Sequence, residues 1–325
     1  MDSYLTSATL DDLLRRVFAL IEREADPIEP TRGPAREVCG VLLELTNPRS
    51  RLSRTETRGR PISCLGELCW YLAGSSSRDF ISYYVGPYGS PLAGKIVSEA
   101  YGPRLVGASG QLKRVIELLR QRKTTRRAVV QIFDSDDLGE SDVPCTCVLQ
   151  FLVRRDLLQL HVYMRSNDAF IGLPHDVFCF TMIQELVARD LGIEVGSYKH
   201  YAASLHVYNQ DLSKLSPFMN EGFQSTIAMP KMPIGEPWSA VADVLRCEES
   251  LRTSESLVPT ANLNGLDPYW LDLVQLLRVY RCDKDGDAVS LRALLSQFEW
   301  DGYKTYVQSR LDRLENRDSR GRAPR

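Results

Sequence analysis

Cys145 stands in VPCTCVLQF, behind the acidic loop DSDDLGESDVP and at the mouth of an apolar run. A thiol attacks as its thiolate, so a nucleophilic cysteine needs cationic neighbours that favour loss of the proton. Arg126 and Arg127 precede one apolar run and Arg165 follows another. Guanidinium forks hold phosphate oxygens in pairs, so three arginines flanking a nucleophile strand suit a phosphate monoester. Adjacent arginines also sit solvated on surfaces, and Cys145 equally suits a small core position; the residues alone leave both questions open. His206 and Tyr208, in SLHVY, alternate along one strand face. Two hydrogen-bonding tips on that face suit a sugar hydroxyl, with core packing the other reading of Tyr208. Asp176, in GLPHDVF, begins a helical apolar pattern, where a carboxylate either caps the helix or reads a substrate edge. Cys147 has no matching Cys or His pair and is weak evidence for metal. DKDGD (283–287) lacks the remaining calcium-loop ligands and reads as a turn. There is no glycine-rich phosphate loop and no H-E-x-x-H.

These side chains need elements to hold them. The 325 residues suffice for one large core or two modest ones, with 43% hydrophobic and 25% charged residues, as in soluble globular proteins. A net charge of −2 favours neither a long nucleic acid nor a membrane surface. Eight scattered cysteines are too few for a disulfide scaffold and fit reduced thiols in the cytoplasm. Nothing indicates a signal peptide, and no apolar run approaches membrane-spanning length. Thr9 and Asp12 form a capping pair for a helix with Leu10, Leu13, Leu14, Val17, Phe18 and Ile21 on its apolar face. Residues 25–36 read as loop, 38–45 as a buried strand, 47–61 as a basic loop, and 62–74 as an apolar helix carrying Glu67. Residues 75–105 read as irregular and 111–122 as a helix. Strands follow at 128–133, 146–153 and 157–164, the last two at hairpin spacing. A core helix is predicted over 177–190 and a strand over 194–208. Helical segments follow from about residue 240, ending in a frayed polar tail, RLENRDSRGRAPR. Strands and helices mix without regular alternation, so the fold class is α+β, or mixed α/β.

Taken together, TTRRAVVQIF, PCTCVLQF, YMRSNDAFIGLPHDV and SLHVY, in this order and spacing, resemble the thymidylate synthase superfamily, and ELCWYL resembles its helix with the catalytic glutamate. The match covers roughly residues 30–235. The resemblance implies a catalytic domain over 1–240 and a helical extension packed on it over 241–325. It also implies a mixed sheet forming a homodimer interface, a pyrimidine nucleoside monophosphate as substrate, and methylenetetrahydrofolate as one-carbon donor. Cys145 would add to C6 of the base, with Glu67 organising water and protons and Tyr101 near C5. Arg165, Ser166 and Arg32 (or Arg36) would hold the phosphate, joined by Arg126 and Arg127 from the partner subunit. Gln150 would line the nucleotide site and His206 and Tyr208 the ribose, with Asp168, Gly172 and Trp70 toward the folate.

The departures carry the finer implication. Synthases read uracil with an Asn where this chain has Asp176. An amide offers a donor and an acceptor, matching O4 and N3–H of uracil. Cytosine presents an amino donor and a bare N3, which a carboxylate accommodates once N3 gains a proton. The resemblance therefore leans toward cytidylate 5-hydroxymethylation of CMP or dCMP, for nucleoside antibiotic or modified-nucleotide synthesis. Thymidylate-type methylation and a non-catalytic nucleotide-binding homologue are the other readings. Thr146 follows the nucleophile where synthases usually have His, and no folate-stacking tryptophan segment is recognisable in 75–100. The helical extension replaces a short apolar terminus. A looser, wetter site would favour water over hydride as the final nucleophile.

Overall fold

The computed structural model describes residues 3–88, 94–253 and 265–321. Strand β1 (Tyr4–Ser7) leads into helix α1 (Leu10–Glu24). The Thr9 hydroxyl caps that helix, accepting from the Asp12 backbone N–H at 3.1 Å and donating to its carboxylate at 2.8 Å. Leu10, Leu13, Leu14, Val17, Phe18 and Ile21 are all buried, the stripe that a 3.6-residue period produces.

Residues 25–36 are not all loop. β2 (Asp26–Ile28) lies antiparallel on the start of β3 (Ala35–Leu45). Pro27 is tolerated there because an edge strand can lack one donor. α2 (Pro61–Leu72) follows the basic loop, with its proline in the first turn where no backbone donor is needed. The segment expected to be irregular holds two short helices, α3 (Arg78–Val85) and α4 (Tyr101–Val106). The Ser77 hydroxyl accepts from the Phe80 N–H and starts α3, so a residue that reads as loop is a cap. Residues 89–93 of that segment lie outside the described residues.

α5 (Gln111–Gln121) precedes β4 (Val129–Gln131), β5 (Thr146–Arg154), β6 (Leu157–Met164) and the two-residue β7 (Asn167–Asp168). Arg155 and Asp156 join β5 to β6 with φ of 54° and 55°, the left-handed pair that a tight hairpin turn demands. α6 (Gly172–Asp190) then crosses to β8 (Glu194–Tyr208). The sheet order is β1-β3-β8-β6-β5-β4, with β2 on β3 and β7 on β8. β6 and β8 are parallel, which requires a crossover such as α6; β3–β8, β4–β5 and β5–β6 are antiparallel. The sheet is mixed and the class α+β, as the sequence indicates.

One sheet face, including Val41, Leu43, Leu160, Val162 and Tyr198, is fully buried. α6 is buried from Leu173 to Arg189, as befits a helix apolar on nearly all sides. The chain continues through α7 (Asn209–Leu212), α8 (Leu215–Asn220), α9 (Trp238–Thr253), α10 (Pro268–Asp285), α11 (Ala288–Leu295) and α12 (Lys304–Gly321). Gly286, left-handed at φ 72°, ends α10, and Asp287 caps α11, so DKDGD is the turn its composition suggests. Among the described residues, one buried cluster takes in side chains from Leu5 to Leu314. Tyr84 donates to Glu248 at 2.8 Å and Tyr306 to the Ser53 carbonyl at 2.7 Å, tying the last helices to the earlier elements. The terminal segment is helical as far as Gly321 rather than frayed from Arg313, with Leu314 buried; residues 322–325 lie outside the described residues.

Candidate active site

A cavity of about 660 Å³ opens where the C-terminal ends of β6, β7 and β8 meet α2 and the first turns of α6. Cys145 lies on its wall, immediately before β5. Arg165, just past β6, folds back onto the cysteine loop. Its Nε donates to the Pro144 carbonyl at 2.8 Å and one Nη to the Val143 carbonyl at 2.9 Å. The same Nη is 3.8 Å from Cys145 Sγ. Arg165 is thus a strap that fixes the loop carrying Cys145 and brings positive charge to its thiol. Burial nonetheless pushes the Cys145 thiol above its usual value, with Asp176 and Glu99 adding to the rise and Arg165 and Arg32 opposing it. The arginines moderate a raised thiol rather than producing a depressed one.

Tyr101, first residue of α4, also lines the cavity. Its hydroxyl accepts from the Thr146 N–H at 3.1 Å, and its ring stacks on Tyr71 at 5.1 Å. Glu67 faces the cavity from α2 with both oxygens engaged. Tyr71 donates to Oε1 at 2.7 Å, and His175 Nδ1 meets Oε2 at 2.6 Å. Ser63 lies 3.2 Å from the other nitrogen of His175. Burial alone would lower His175, but Cys64 and then the Glu67 carboxylate push it up to about 10, which favours the charged ring beside Glu67.

Asp176 is the fifth residue of α6, inside the helix and not at its cap, which is Ile171. The capping reading therefore fails. Its Oδ2 accepts from the Asn167 amide at 2.7 Å. Burial and then Glu67 push the Asp176 carboxyl well above the carboxylate range. Asp168 turns its Oδ1 to the Phe170 and Ile171 N–H groups at 2.8 and 3.1 Å, shaping the turn into α6. Gly172 lines the floor, where an added Cβ would stand 3.6 Å from Asp176 Oδ2. His206 is buried with neither ring nitrogen partnered, beside Tyr208 with ring centres 4.9 Å apart. A buried imidazole with unmet hydrogen-bonding capacity facing a cavity is suited to a polar ligand. Arg32 and Ser166 complete the rim.

Two of the expected site residues, Trp70 and Gln150, are elsewhere, and the two arginines expected to serve a partner's site are at the sheet edge. Trp70 is 1% exposed and packs behind the wall on Tyr71 and Tyr88; the apolar rings around it keep it from the cavity. Gln150 does not line the cavity either, its amide donating to the Arg126 carbonyl at 2.9 Å. Arg126 and Arg127 are exposed at the edge strand β4, away from this cavity. Arg36, the other candidate to Arg32, is on β3 and reaches the Ala25 carbonyl. Sequence reasoning missed Asn167, His175 and Tyr71. Tyr71 had a signal, lying four residues after Glu67 on one helix; Asn167 and His175 sit in the same stretch as Asp176 without a pattern that marks their partners. Among the described residues, no cluster of three or more His, Cys, Asp or Glu is arranged to hold a metal ion, and no helix is long and apolar enough to cross a membrane.

Residues 55–248 match the family model described as thymidylate synthase. The chain belongs to the thymidylate synthase family. A deoxyuridylate hydroxymethyltransferase of Bacillus phage SP01 is 29% identical over 249 residues, covering 70% of this chain and 64% of the relative. A thymidylate synthase of Listeria monocytogenes serovar 1/2a is 26% identical over 134 residues, 41% of this chain and 42% of the relative. The chain thus spans less than two thirds of the length of either relative. Glu67, Cys145, Arg165, Asp176 and His206, the cavity residues of this family member, all fall inside the matched span.

Proposed function

We propose that this chain transfers a one-carbon unit to C5 of a pyrimidine nucleoside monophosphate, with cytidylate (CMP or dCMP) as substrate and a hydroxymethyl group as the outcome. The observation that carries this reading is Asp176: a carboxyl on the cavity floor, held by Asn167 through one oxygen and sharing the cavity with Cys145 and Glu67. Its ionised form accepts from the cytosine amino group and from a protonated N3. Cys145 adds to C6 as its thiolate, which makes C5 a nucleophile and divides one hard substitution into easier steps. Arg165, Arg32 and Ser166 hold the phosphate, and His206 with Tyr208 takes the ribose hydroxyl, so that C6 is fixed against the sulfur. The Glu67–His175 pair is placed to orient water and to move protons at C5.

The family implies methylenetetrahydrofolate as co-substrate, and the cavity suits a flat heterocycle: Val85, Pro87, Tyr88 and Ile171 offer apolar surface beside the floor at Gly172. When bound, it supplies the carbon at the oxidation level of formaldehyde. Asp168 and Gly172, at the turn into α6, would hold it. A homodimer is part of this reading. The sheet face away from α6 carries Val129, Leu157 and Tyr163, which are 39%, 40% and 42% exposed, and Tyr163 stacks on Tyr201. A partner on that face would cover them and bring its Arg126 and Arg127 to this phosphate site. Cytoplasmic nucleotide pools would supply the substrate.

A second reading, uridylate hydroxymethylation, is supported by the phage relative's name and by the raised Asp176 carboxyl. A protonated carboxyl offers one donor and one acceptor, as an amide does, and so suits uracil. Tritium release from C5-labelled CMP, dCMP and dUMP, with mass analysis of the product, decides. We expect cytidylate to be turned over with a hydroxymethyl product. Release from dUMP alone would establish the second reading, a methyl product would establish synthase chemistry, and no release from any would reject catalysis.

A further inference from the structure

Behind Asp176 and its partner Asn167, a line of buried polar side chains continues into the core through His200 and Tyr198. Tyr198 and His200 stand on the buried face of β8, both 0% exposed, and Asn167 sits in β7. Tyr198 Oη is 2.8 Å from His200 Nδ1, His200 Nε2 is 3.1 Å from Asn167 Oδ1, and Asn167 Nδ2 is 2.7 Å from Asp176 Oδ2.

The proton positions along this line follow from elimination. Burial pushes His200 down to about 3, so its ring carries a single proton. Were that proton on Nδ1, the hydroxyl proton of Tyr198 would have nowhere to go, and a stranded buried O–H costs about 1–3 kcal/mol. Nδ1 is therefore bare and accepts from Tyr198. His200 Nε2–H then donates to Asn167 Oδ1, which obliges the amide to turn its NH₂ to Asp176. Every donor points toward the carboxyl. Asp176 Oδ2 is consequently an acceptor in this line, and Oδ1 remains for the ligand, carrying the acid proton whenever there is one.

The geometry points to His200 as a specificity-determining positioning residue, which acts through Asn167 by holding the amide with its NH₂ toward Asp176 and so fixing which carboxyl oxygen meets the base. This rests on the reading of Asp176 as the residue that meets the base. With His200 lost, the Asn167 amide is free to turn over. Its carbonyl then faces Asp176, which repels the ionised carboxylate and favours the protonated form. The protonated form suits uracil, so discrimination against uridylate falls.

The test measures dissociation constants and kcat/KM for CMP and UMP, and for dCMP and dUMP, in wild-type protein and three variants. In His200→Leu, the cytosine-to-uracil ratio should fall about tenfold, the scale of one lost buried hydrogen bond to a charged group. His200→Gln, whose amide restores an N–H toward Asn167, should recover most of the ratio. Tyr198→Phe frees the His200 tautomer and should lower the ratio by a smaller factor, about threefold. An unchanged ratio in folded His200→Leu overturns the inference. Equal loss in the Leu and Gln variants also overturns it, since that marks a packing role only. If His200→Leu does not fold, Tyr198→Phe decides alone, and an unchanged ratio there is fatal. These failures leave wild-type preference for cytosine intact. A wild-type protein that binds or turns over neither base preferentially rejects the reading of Asp176 itself.

Discussion

At the scale of single residues, the cavity brings together the Cys145 thiol, the carboxyls of Glu67 and Asp176 among others, and the unpartnered imidazole of His206, each in a different environment. Cys145 is held above the ordinary thiol value by burial, so only a small fraction is thiolate at neutral pH. Each unit of pH below its own value gains about tenfold in thiolate. We expect kcat/KM to rise from pH 7 toward pH 9, and Cys145→Ala to lose at least about 10³-fold in C5 tritium release; a flat alkaline profile or residual activity near wild type rejects the nucleophile. Asp176→Asn leads in the opposite chemical direction. The new amide must turn its carbonyl to the Asn167 NH₂, which leaves its own NH₂ toward the base. A donor there suits O4 of uracil and opposes the cytosine amino group. The cytosine-to-uracil ratio should drop by at least about tenfold, and an unmoved ratio argues that Asp176 does not face the base.

At the scale of elements, α2 and α6 are held together by a charged pair in a mostly apolar contact. Glu67 on one helix meets His175 on the other, both nearly buried. The folded-state value of His175 is about 10 against an ordinary value near 6.5. The pair's contribution is therefore complete below about pH 6.5 and is lost as pH rises toward 10, by up to about 1.4 kcal/mol per pH unit. His200 works in the reverse sense: it is held neutral by burial, so acidification below about pH 6.5 favours the unfolded chain. Thermal unfolding of His175→Phe should show a lower Tm at pH 6.5 and a flatter decline toward pH 10 than the parent. Parallel curves would exclude the pair as a stabilising contact. The same scale shows where local pattern was sufficient. The amphipathic α1, the β5–β6 hairpin and the long β8 follow from 3.6-residue and two-residue periods. The helices α3 and α4 were not legible because each is only one or two turns long, and their Ser, Gly and Pro signals are shared with loops.

At the scale of the whole molecule, two features join parts that are far apart in the chain. The C-terminal helices share the main core, with Trp270 and Leu273 of α10 lining a small apolar cavity together with Leu65 and Leu68 of α2, the helix that carries Glu67. Removing residues 241–325 exposes that apolar face, and we expect the truncated chain to aggregate or to unfold well below the parent; a soluble, cooperatively folding 1–240 would make the extension a separate unit. The second feature is the proposed dimer. If Arg126 and Arg127 serve the partner's phosphate, then Cys145→Ala and an Arg126→Glu/Arg127→Glu double variant are each inactive alone. Mixed and reassembled, they should regain activity, since one of the two sites in each heterodimer is then intact. No recovery in a verified heterodimer would place these arginines outside the site.

The sequence by itself determined which side chains are available and which strand or helix carries them, because periodicity and turn chemistry are local. It placed Cys145 at the start of a strand, Arg165 at the end of another, His206 and Tyr208 on one face, and Asp176 where the central helix begins. Only the tertiary structure decided how these groups meet. Glu67 finds His175 across 108 positions and Asn167 finds His200 across 33, distances over which no sequence pattern reports contact. The same packing turned Trp70 and Gln150 away from the cavity and raised the Cys145 thiol, because burial and neighbouring charge depend on the whole fold. Asp176 belongs to both accounts: its type was legible from the sequence, while the Asn167 amide that decides which of its oxygens is free comes from the arrangement of β7 and β8.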